Sequence, residues 1–166
     1  MKILFLDIDG VVNSMDDLYC RTALWRHDKT PSRDEFGQLF DDRCVRWLSW
    51  IIKMTDCKIV ISSTWRHSGL EEMKEMWIKR NLPGEVVGVT PNFPSDETLD
   101  KYEAKNNLAD RGFEIQEWID KNNPERYCIV DDNDDMLPNQ IFVQTKGKIG
   151  LDIDSANAIV AKLNSI

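Results

Sequence analysis

Three short clusters of polar residues follow apolar runs of the sequence, and their residue types suggest chemistry on a phosphate group. Two clusters are rich in carboxylates and one in hydroxyls: D-I-D at 7–9, S-S-T at 62–64 and D-D-N-D-D at 131–135. Carboxylate oxygens are the ligands that Mg²⁺ prefers, and this ion often keeps a substrate phosphate in its shell. Hydroxyls and backbone N–H groups can hold phosphoryl oxygens, especially beside the start of a helix. Together the clusters suggest a site for a metal ion and a phosphate.

The apolar runs before the clusters predict the strands that position them. The runs are ILFL at 3–6, KIVI at 58–61 and YCIV at 127–130. Short continuous apolar runs with β-branched members are typical of strands buried on both faces, as in parallel sheets. Because parallel strands end at the same edge of a sheet, we expect the three clusters to meet there, where open α/β sheets bind ligands.

Helical and strand patterns alternate along the rest of the chain. Helices are predicted at 36–55, at 69–81, from Arg111 to Asn122 and after Gly150, and further strands at 85–89 and 141–144. Strands that alternate with helices predict an α/β fold with a mostly parallel sheet and right-handed crossovers. The stretches 11–35 and 91–110 show no clean period and are expected to be loops, the first of them a flap beside the site. No repeat or linker interrupts the pattern, so we expect one domain over residues 1–166.

Composition narrows the class of protein. The 166 residues are 42 % hydrophobic and 30 % charged, and the formal net charge is −8. These values are ordinary for a globular chain, and the negative charge argues against loose, non-specific binding of nucleic acid. The four cysteines show no C-x-x-C spacing, and Cys44 and Cys128 are expected to be buried. With no signal peptide and no apolar stretch of about 18 residues, the sequence favours a reducing cytoplasm.

Glycine and arginine residues add to the predicted site. Gly10 suggests that the chain turns after Asp9, which would bring the Asp7 side chain and the Asp9 backbone to one point. Arg66 and Arg111 can donate charge-assisted hydrogen bonds to phosphoryl oxygens. Clustered carboxylates repel one another unless a cation lies between them, so a purely structural role for the acidic residues is disfavoured.

These residues resemble the four motifs of the haloacid dehalogenase (HAD) superfamily of phosphatases. D-I-D-G-V at 7–11 is similar to the first motif, Ser62 to the second, Arg111 to the third, and Asp131 with Asp132 to the fourth. Three strings resemble a small HAD branch of phage proteins and of domains in bacterial RNA-repair proteins: ISSTWR at 61–66, RGFEIQEWI at 111–119 and VDDNDDM at 130–136. The resemblance covers nearly the whole chain. It implies a three-layer Rossmann-like fold with no full cap domain.

The third motif departs from the family pattern. Its cation is usually Lys, and here Arg111 stands in that place. An arginine should bind phosphate, but it stays charged and cannot act as an acid. Lys101 and Lys105, upstream of it, are weaker candidates for the same role.

The register of two motifs is open. The second motif can be Ser62 or Ser63, with Ser62 favoured because it comes directly after the predicted strand. The fourth motif can be the pair Asp131 and Asp132, or Asp131 with Asp135. Both interpretations of the fourth motif keep Asp131.

The resemblance implies a role for each residue. Asp7 would attack phosphorus and form an aspartyl-phosphate, and Asp9 would protonate the leaving oxygen and later deprotonate the attacking water. Ser62 and Arg111 would stabilise charge on the transferred group. The remaining predicted contacts are Ser63, Thr64, Arg66 and Gly10 for the substrate, and Asp7, the Asp9 backbone carbonyl, Asp131 and Asp132 for Mg²⁺.

The flap at 11–35 is expected to choose the substrate. A segment of this length is too short for a full helical cap, and an open site suits a large substrate such as a nucleic-acid end or a phosphoprotein. Residues 19–33 carry four basic residues against one acid, with Tyr19, Trp25 and His27 among them. Such a surface could hold a phosphate backbone and stack a base. The predicted activity is a Mg²⁺-dependent phosphomonoesterase acting on RNA or DNA ends or on nucleotides.

Two other interpretations stay open. A small-metabolite phosphatase would fit if a partner subunit covered the site. A non-catalytic domain that binds phosphate would also fit, although the intact pair of Asp7 and Asp9 argues against it. No membrane partner is expected.

Overall fold

Seven strands and six helices are formed within residues 1–102 and 110–165, which are the residues that the computed structural model describes. The strands are β1 (Lys2–Leu6), β2 (Arg33–Asp34), β3 (Gly37–Gln38), β4 (Lys58–Ile61), β5 (Val86–Val89), β6 (Arg126–Asp131) and β7 (Phe142–Gln144). The helices are α1 (Met15–Asp28), α2 (Asp42–Thr55), α3 (Leu70–Lys79), α4 (Asp96–Lys101), α5 (Asp110–Asn122) and α6 (Ile153–Asn164). A 3₁₀ turn at Thr64–Ser68 connects β4 to α3.

The central sheet is parallel throughout, in the strand order β5-β4-β1-β6-β7. Leu6, the last residue of β1, pairs with Ile61 of β4 and with Val130 of β6. The three polar clusters therefore begin at the same edge of the sheet. This arrangement confirms the predicted α/β, Rossmann-like fold with its mostly parallel sheet.

Helices cover both faces of the sheet and so form three layers. On one face the side chains of β1 and β4 pack against α2, α3 and α6, and the strand residues there are Leu4, Leu6, Ile59 and Ile61. On the other face Ile3, Phe5 and Val60 pack against Ile115 and Trp118 of α5. The alternation follows from the two-residue period of a strand. Cys44 and Cys128 are buried, as predicted, and all four cysteines are free.

The flap is not irregular as predicted, because α1 occupies most of it. None of the 14 residues of α1 is buried, so the sequence carries no apolar stripe at helical spacing by which to recognise the helix. Local signals fix its ends instead. At the N-terminus of α1, the Ser14 side chain accepts a hydrogen bond from the Asp17 N–H. At the C-terminus, Lys29 follows the helix and has a φ of 64°. The hairpin of β2 and β3 follows.

Two other boundaries differ from the prediction. The helix expected at 36–55 begins only at Asp42, where Asp41 caps it by accepting from the Arg43 N–H. Phe36, expected on that helix, lies in the hairpin instead. The stretch 91–110, expected to be a loop, contains α4. Lys105, the weaker candidate for the third motif, lies outside the described residues.

Among the described residues, no helix is both long and apolar enough to cross a membrane. The cytoplasmic location and the single-domain organisation stay predictions.

Candidate active site

Asp7, Asp131 and Asp132 form an acidic cluster at the carboxyl edge of the sheet. One carboxylate oxygen of each lies within 4.8 Å of the other two. Asp7 is only 6 % exposed and Asp131 only 2 %, because β1 and β6 end side by side at the centre of the sheet. Burial raises the pKa of both carboxyls above the ordinary 3.8, and the charge of Asp131 adds to the effect on Asp7. A cluster of this kind favours a bound cation.

Two glycines make room for Asp132. A Cβ atom at Gly10 would lie 2.3 Å from the Asp132 Cγ, and one at Gly147 would lie 2.4 Å from the Asp132 Oδ2. Gly10 also has a φ of 77°, a backbone conformation that favours glycine. The packing holds the Asp132 carboxylate within the acidic cluster. The geometry therefore favours Asp132 over Asp135 as the partner of Asp131.

Asp9 stands apart from the acidic cluster and is exposed. The Trp65 indole N–H donates to its Oδ2 at 2.9 Å, and the Asn13 amide donates to its Oδ1 at 3.0 Å. These two donors hold the carboxylate at the mouth of the site rather than in its floor. Asp7 and Asp9 are thus unequal in burial and surroundings, which suits the two different roles expected of them.

Arg111 lies beside Asp7. It is in the first turn of α5, and its Nη1 is 3.8 Å from the Asp7 Oδ1. The same nitrogen donates to the backbone carbonyl of Ser62, which fixes the guanidinium between β1 and β4. Lys101, the alternative cation, instead pairs with Asp120 at 2.5 Å on the surface. The structure therefore brings Arg111 to the predicted place and does not bring Lys101 there.

An open cavity of about 280 Å³ connects these side chains. Its walls are Asp7, Asp9, Gly10, Met15, Thr64, Arg111, Asp132, Asn133 and Gly147. Met15, Asn133 and Gly147 were not predicted from the sequence. The glycine within K-G-K at 146–148 was the available signal for a close backbone approach, but only the packing of β7 beside β6 reveals what it approaches.

A family model matches the sequence over residues 3–156, which is most of the chain. The family is described as the HAD domain in Swiss Army Knife RNA repair proteins. The chain belongs to this family. Comparison with curated proteins and with solved structures found no significant match. Membership supports a phosphatase-type function for this HAD domain, in agreement with the predicted resemblance.

The acidic cluster of the HAD domain fits a Mg²⁺ ion. HAD domains typically use Mg²⁺, and the oxygen-rich, anionic donor set of Asp7, Asp131 and Asp132 is the kind that this ion prefers. Burial raises the pKa of all three carboxyls, so the protein alone disfavours their charged forms, which a bound cation would stabilise. The Asp9 backbone carbonyl is the remaining predicted ligand.

The hydroxyls at the end of β4 point in different directions. The Ser62 Oγ is 3.5 Å from the Thr90 Oγ1, inside the protein. The Ser63 hydroxyl instead interacts with the Asp7 carboxyl and lowers its pKa, against the larger effect of burial. The Ser63 hydroxyl also accepts a hydrogen bond from the Trp65 N–H. Its effect on Asp7 makes Ser63 a candidate for the second motif beside Ser62, which the sequence favoured. Thr64 is exposed and lines the cavity.

Replacing Ser63 by Ala is expected to reduce kcat more than replacing Ser62 by Ala. Loss of one donor to developing charge commonly reduces the rate about 10²-fold, and of the two serines it is Ser63 whose hydroxyl lowers the pKa of Asp7. Ser62→Ala is a matched control because both residues are 1 % exposed. Steady-state kinetics on one phosphomonoester compare the variants. A larger loss in Ser62→Ala would restore the register that the sequence favoured.

Arg66 does not lie where a phosphate contact was predicted. Its side chain is 4 % exposed, and it donates to Glu114 at 2.7 Å and to the backbone carbonyls of Ser63 and Pro91. Glu114 also lies 3.8 Å from the Arg111 Nε. The buried pair therefore positions Arg111 from behind the site. Sequence reasoning missed Glu114, although its spacing of three residues from Arg111 on a helix was the available signal.

Replacing Asp131 by Asn is expected to stabilise the metal-free protein near neutral pH. The folded-state pKa of Asp131 lies above 3.8, so the folded state binds more protons than the unfolded state, and stability is lost as the pH rises above about 4. The variant should unfold with a free energy about 1–3 kcal/mol higher than wild type near pH 7.5, and the difference should vanish near pH 4. Urea denaturation with a chelator measures both.

The same measurement with Mg²⁺ provides the control. Mg²⁺ should stabilise the wild type more than Asp131→Asn, while the exposed Asp134→Asn should behave as wild type. Equal stabilisation of all three proteins by Mg²⁺ would contradict the assignment of Asp131 as a ligand.

Proposed function

We propose that this HAD domain is a Mg²⁺-dependent phosphomonoesterase that works through an aspartyl-phosphate on Asp7 and acts on phosphorylated nucleic-acid ends or nucleotides. The observation that carries the proposal is the position of Asp7. It lies between the Arg111 cation and the acidic pair Asp131 and Asp132, and it lines an open cavity.

The first step transfers the phosphoryl group to the protein. The Asp7 Oδ1 attacks phosphorus, a bond forms between them, and the bond from phosphorus to the leaving oxygen breaks. Asp9 gives its proton to that oxygen, which leaves as an alcohol. Arg111 and the Ser63 hydroxyl stabilise the charge on the equatorial oxygens, because both lie beside Asp7.

The second step returns Asp7 to its starting state. A water molecule attacks the aspartyl-phosphate, and Asp9, now a carboxylate, takes a proton from that water. The bond between phosphorus and Asp7 breaks, so inorganic phosphate leaves. The exposed position of Asp9 suits this exchange of protons with the leaving group and with water.

Asp7, Asp131, Asp132 and the Asp9 carbonyl would hold the Mg²⁺ ion. When bound, the ion neutralises part of the negative charge that the phosphate brings to the carboxylates. Without such a cation, an anionic substrate would meet three clustered acids, which explains the expected metal dependence.

The nature of the substrate is supported by the family and by the open site. The family is described as the HAD domain in RNA repair proteins, which suggests a phosphorylated nucleic-acid substrate. In the flap, α1 leaves Tyr19 at 65 % and Trp25 at 50 % exposed, and Arg26 and Lys29 lie on the same segment. Exposed aromatic and basic side chains of this kind suit a single-stranded phosphate backbone.

A substrate panel tests the proposal. Oligonucleotides with 3′- or 5′-phosphates, nucleotides and sugar phosphates are assayed with and without Mg²⁺, for wild type and for Asp7→Asn. We expect Mg²⁺-dependent release of phosphate from the nucleic-acid substrates by the wild type alone.

Other outcomes lead to the two remaining interpretations. Hydrolysis of sugar phosphates but of no nucleotide or oligonucleotide would favour a small-metabolite phosphatase. If the protein binds phosphate but shows no turnover that is lost in Asp7→Asn, the result would favour a non-catalytic domain.

A further inference from the structure

A second cavity adjoins the active-site cavity. It has a volume of about 380 Å³ and shares two walls, Asp9 and Thr64, with the first. The hairpin of β2 and β3 and the 3₁₀ turn form most of the rest, including Arg33, Phe36, Trp65 and His67. Apart from Asp9 and Thr64, none of its described walls has a catalytic, metal-binding or substrate-binding role in the proposed function.

The position of Asp9 determines which part of a substrate enters it. On the proposed function, on which this inference rests, Asp9 protonates the leaving oxygen and must lie within hydrogen-bond reach of it. Asp9 is a wall of both cavities. With the phosphoryl group beside Asp7 in the first cavity, the leaving group extends past Asp9 into the second.

The hairpin wall is held in place by contacts with α3 and with the residue that follows it. Arg80 donates to Asp34 through its Nε at 2.9 Å and its Nη2 at 2.6 Å, and its guanidinium stacks 4.7 Å from the Phe40 ring. Lys79 pairs with Glu35 at 3.2 Å. The cavity is therefore formed before a ligand arrives, which reduces the entropy lost on binding.

Arg33 is a cation in the wall of this cavity, and its guanidinium is available to a ligand. Its side chain forms no ion pair or hydrogen bond with any other described residue, whereas Arg80 nearby binds Asp34 through its Nε and Nη2. A Cβ atom at Gly37 would lie 3.3 Å from the Trp65 ring and 4.0 Å from the Arg33 Nη2. The guanidinium and the indole thus flank the same point of the hairpin. A free guanidinium is well suited to bind a phosphodiester.

We propose that the second cavity holds the terminal nucleoside of a nucleic-acid strand and that Arg33 contacts the first internucleotide phosphodiester. The half-buried Phe36 ring offers a flat apolar surface for the base. Asp9 and Glu72 also line the cavity, so it suits an uncharged sugar and base with one diester better than a polyphosphate. The substrate class is then a strand of two or more nucleotides rather than a mononucleotide.

A pair of dinucleotides isolates this contact. Both carry the same terminal phosphate, at the 3′ or the 5′ end, and one has a normal phosphodiester while the other has an uncharged methylphosphonate linkage. Wild-type kcat/KM should be roughly tenfold higher for the charged linkage, the effect of one charge-assisted hydrogen bond. Arg33→Gln should abolish this preference, and Arg46→Gln, an equal loss of charge at an exposed position on α2, should keep it.

The outcomes separate this inference from the proposed function. If the wild type hydrolyses both dinucleotides equally, or if Arg33→Gln keeps the preference, the contact is wrong while the phosphatase stands. The same holds if Arg46→Gln loses the preference to the same extent, because the effect is then one of net charge. If no substrate shows hydrolysis that depends on Asp7, both the function and the inference are overturned.

Discussion

Replacing Asp7 by Asn is expected to reduce phosphatase turnover to the background level. Loss of a catalytic nucleophile commonly reduces kcat by about 10⁴-fold or more, and the Asn side chain cannot form the aspartyl-phosphate. The substitution removes a charge that is 6 % exposed and crowded by Asp131, so the protein should remain folded. Steady-state release of phosphate from a phosphorylated oligonucleotide with Mg²⁺ measures the effect.

A matched control separates the nucleophile from general electrostatic effects. Asp154→Asn makes the same chemical change at an exposed position in the first turn of α6, and it should leave turnover within about twofold of wild type. Turnover in Asp7→Asn within tenfold of wild type, with normal folding by circular dichroism, would mean that another group attacks phosphorus.

Replacing Asp9 by Asn is expected to slow both steps of the reaction, because one side chain acts first as the acid and then as the base. General acid–base catalysis commonly contributes about 10²–10⁴-fold. The loss should be larger for a nucleotide than for para-nitrophenyl phosphate, because a sugar alcohol needs a proton to leave and a nitrophenolate does not. The ratio of kcat/KM for the two substrates measures the difference between them.

The structure makes this second variant easy to interpret. The Asn side chain can still accept from the Trp65 indole N–H, which now donates to Asp9 at 2.9 Å, so the local geometry should persist. Asp134→Asn, exposed in the neighbouring loop, is the control. An equal loss on both substrates would show that Asp9 does not protonate the leaving group.

The fold and the centre of the site could be predicted because their signals are local. The buried strands β1, β4 and β6 are continuous apolar runs, and each ends where its polar cluster begins. Parallel pairing then brings Asp7 and Asp131 together without further information. Arg111 could be placed in the same way, since α5 begins at Asp110, one residue before the predicted start.

The helix in the flap could not be predicted because none of its residues is buried. The helix α1 has no buried side chain, so its sequence shows no apolar residues at helical spacing. The hairpin depends on distant partners, such as the pairing of Arg80 with Asp34 at a separation of 46 residues. The second cavity follows from these contacts and has no sequence motif of its own.

The directions of the side chains at the end of β4 could not be predicted from the sequence either. Ser62 and Ser63 are identical in type and equally buried, and only the packing against Thr90 and Asp7 tells them apart. Arginine commonly binds phosphate, but the Arg66 side chain instead forms a buried ion pair with Glu114. In both cases the direction of the side chain depends on partners that are distant in the sequence.

Detection of the covalent intermediate tests the central claim most directly. Asp9→Asn is mixed with Mg²⁺ and para-nitrophenyl phosphate, whose leaving group needs no proton, so that loss of the base in the second step makes the intermediate accumulate. The reaction is quenched in acid within the first turnover and digested for peptide mass spectrometry. We predict one added phosphoryl group on the peptide that contains Asp7, and none when Asp7→Asn is combined with this variant. Phosphate released in a full turnover with no modified Asp7 peptide at any quench time would contradict the proposed mechanism.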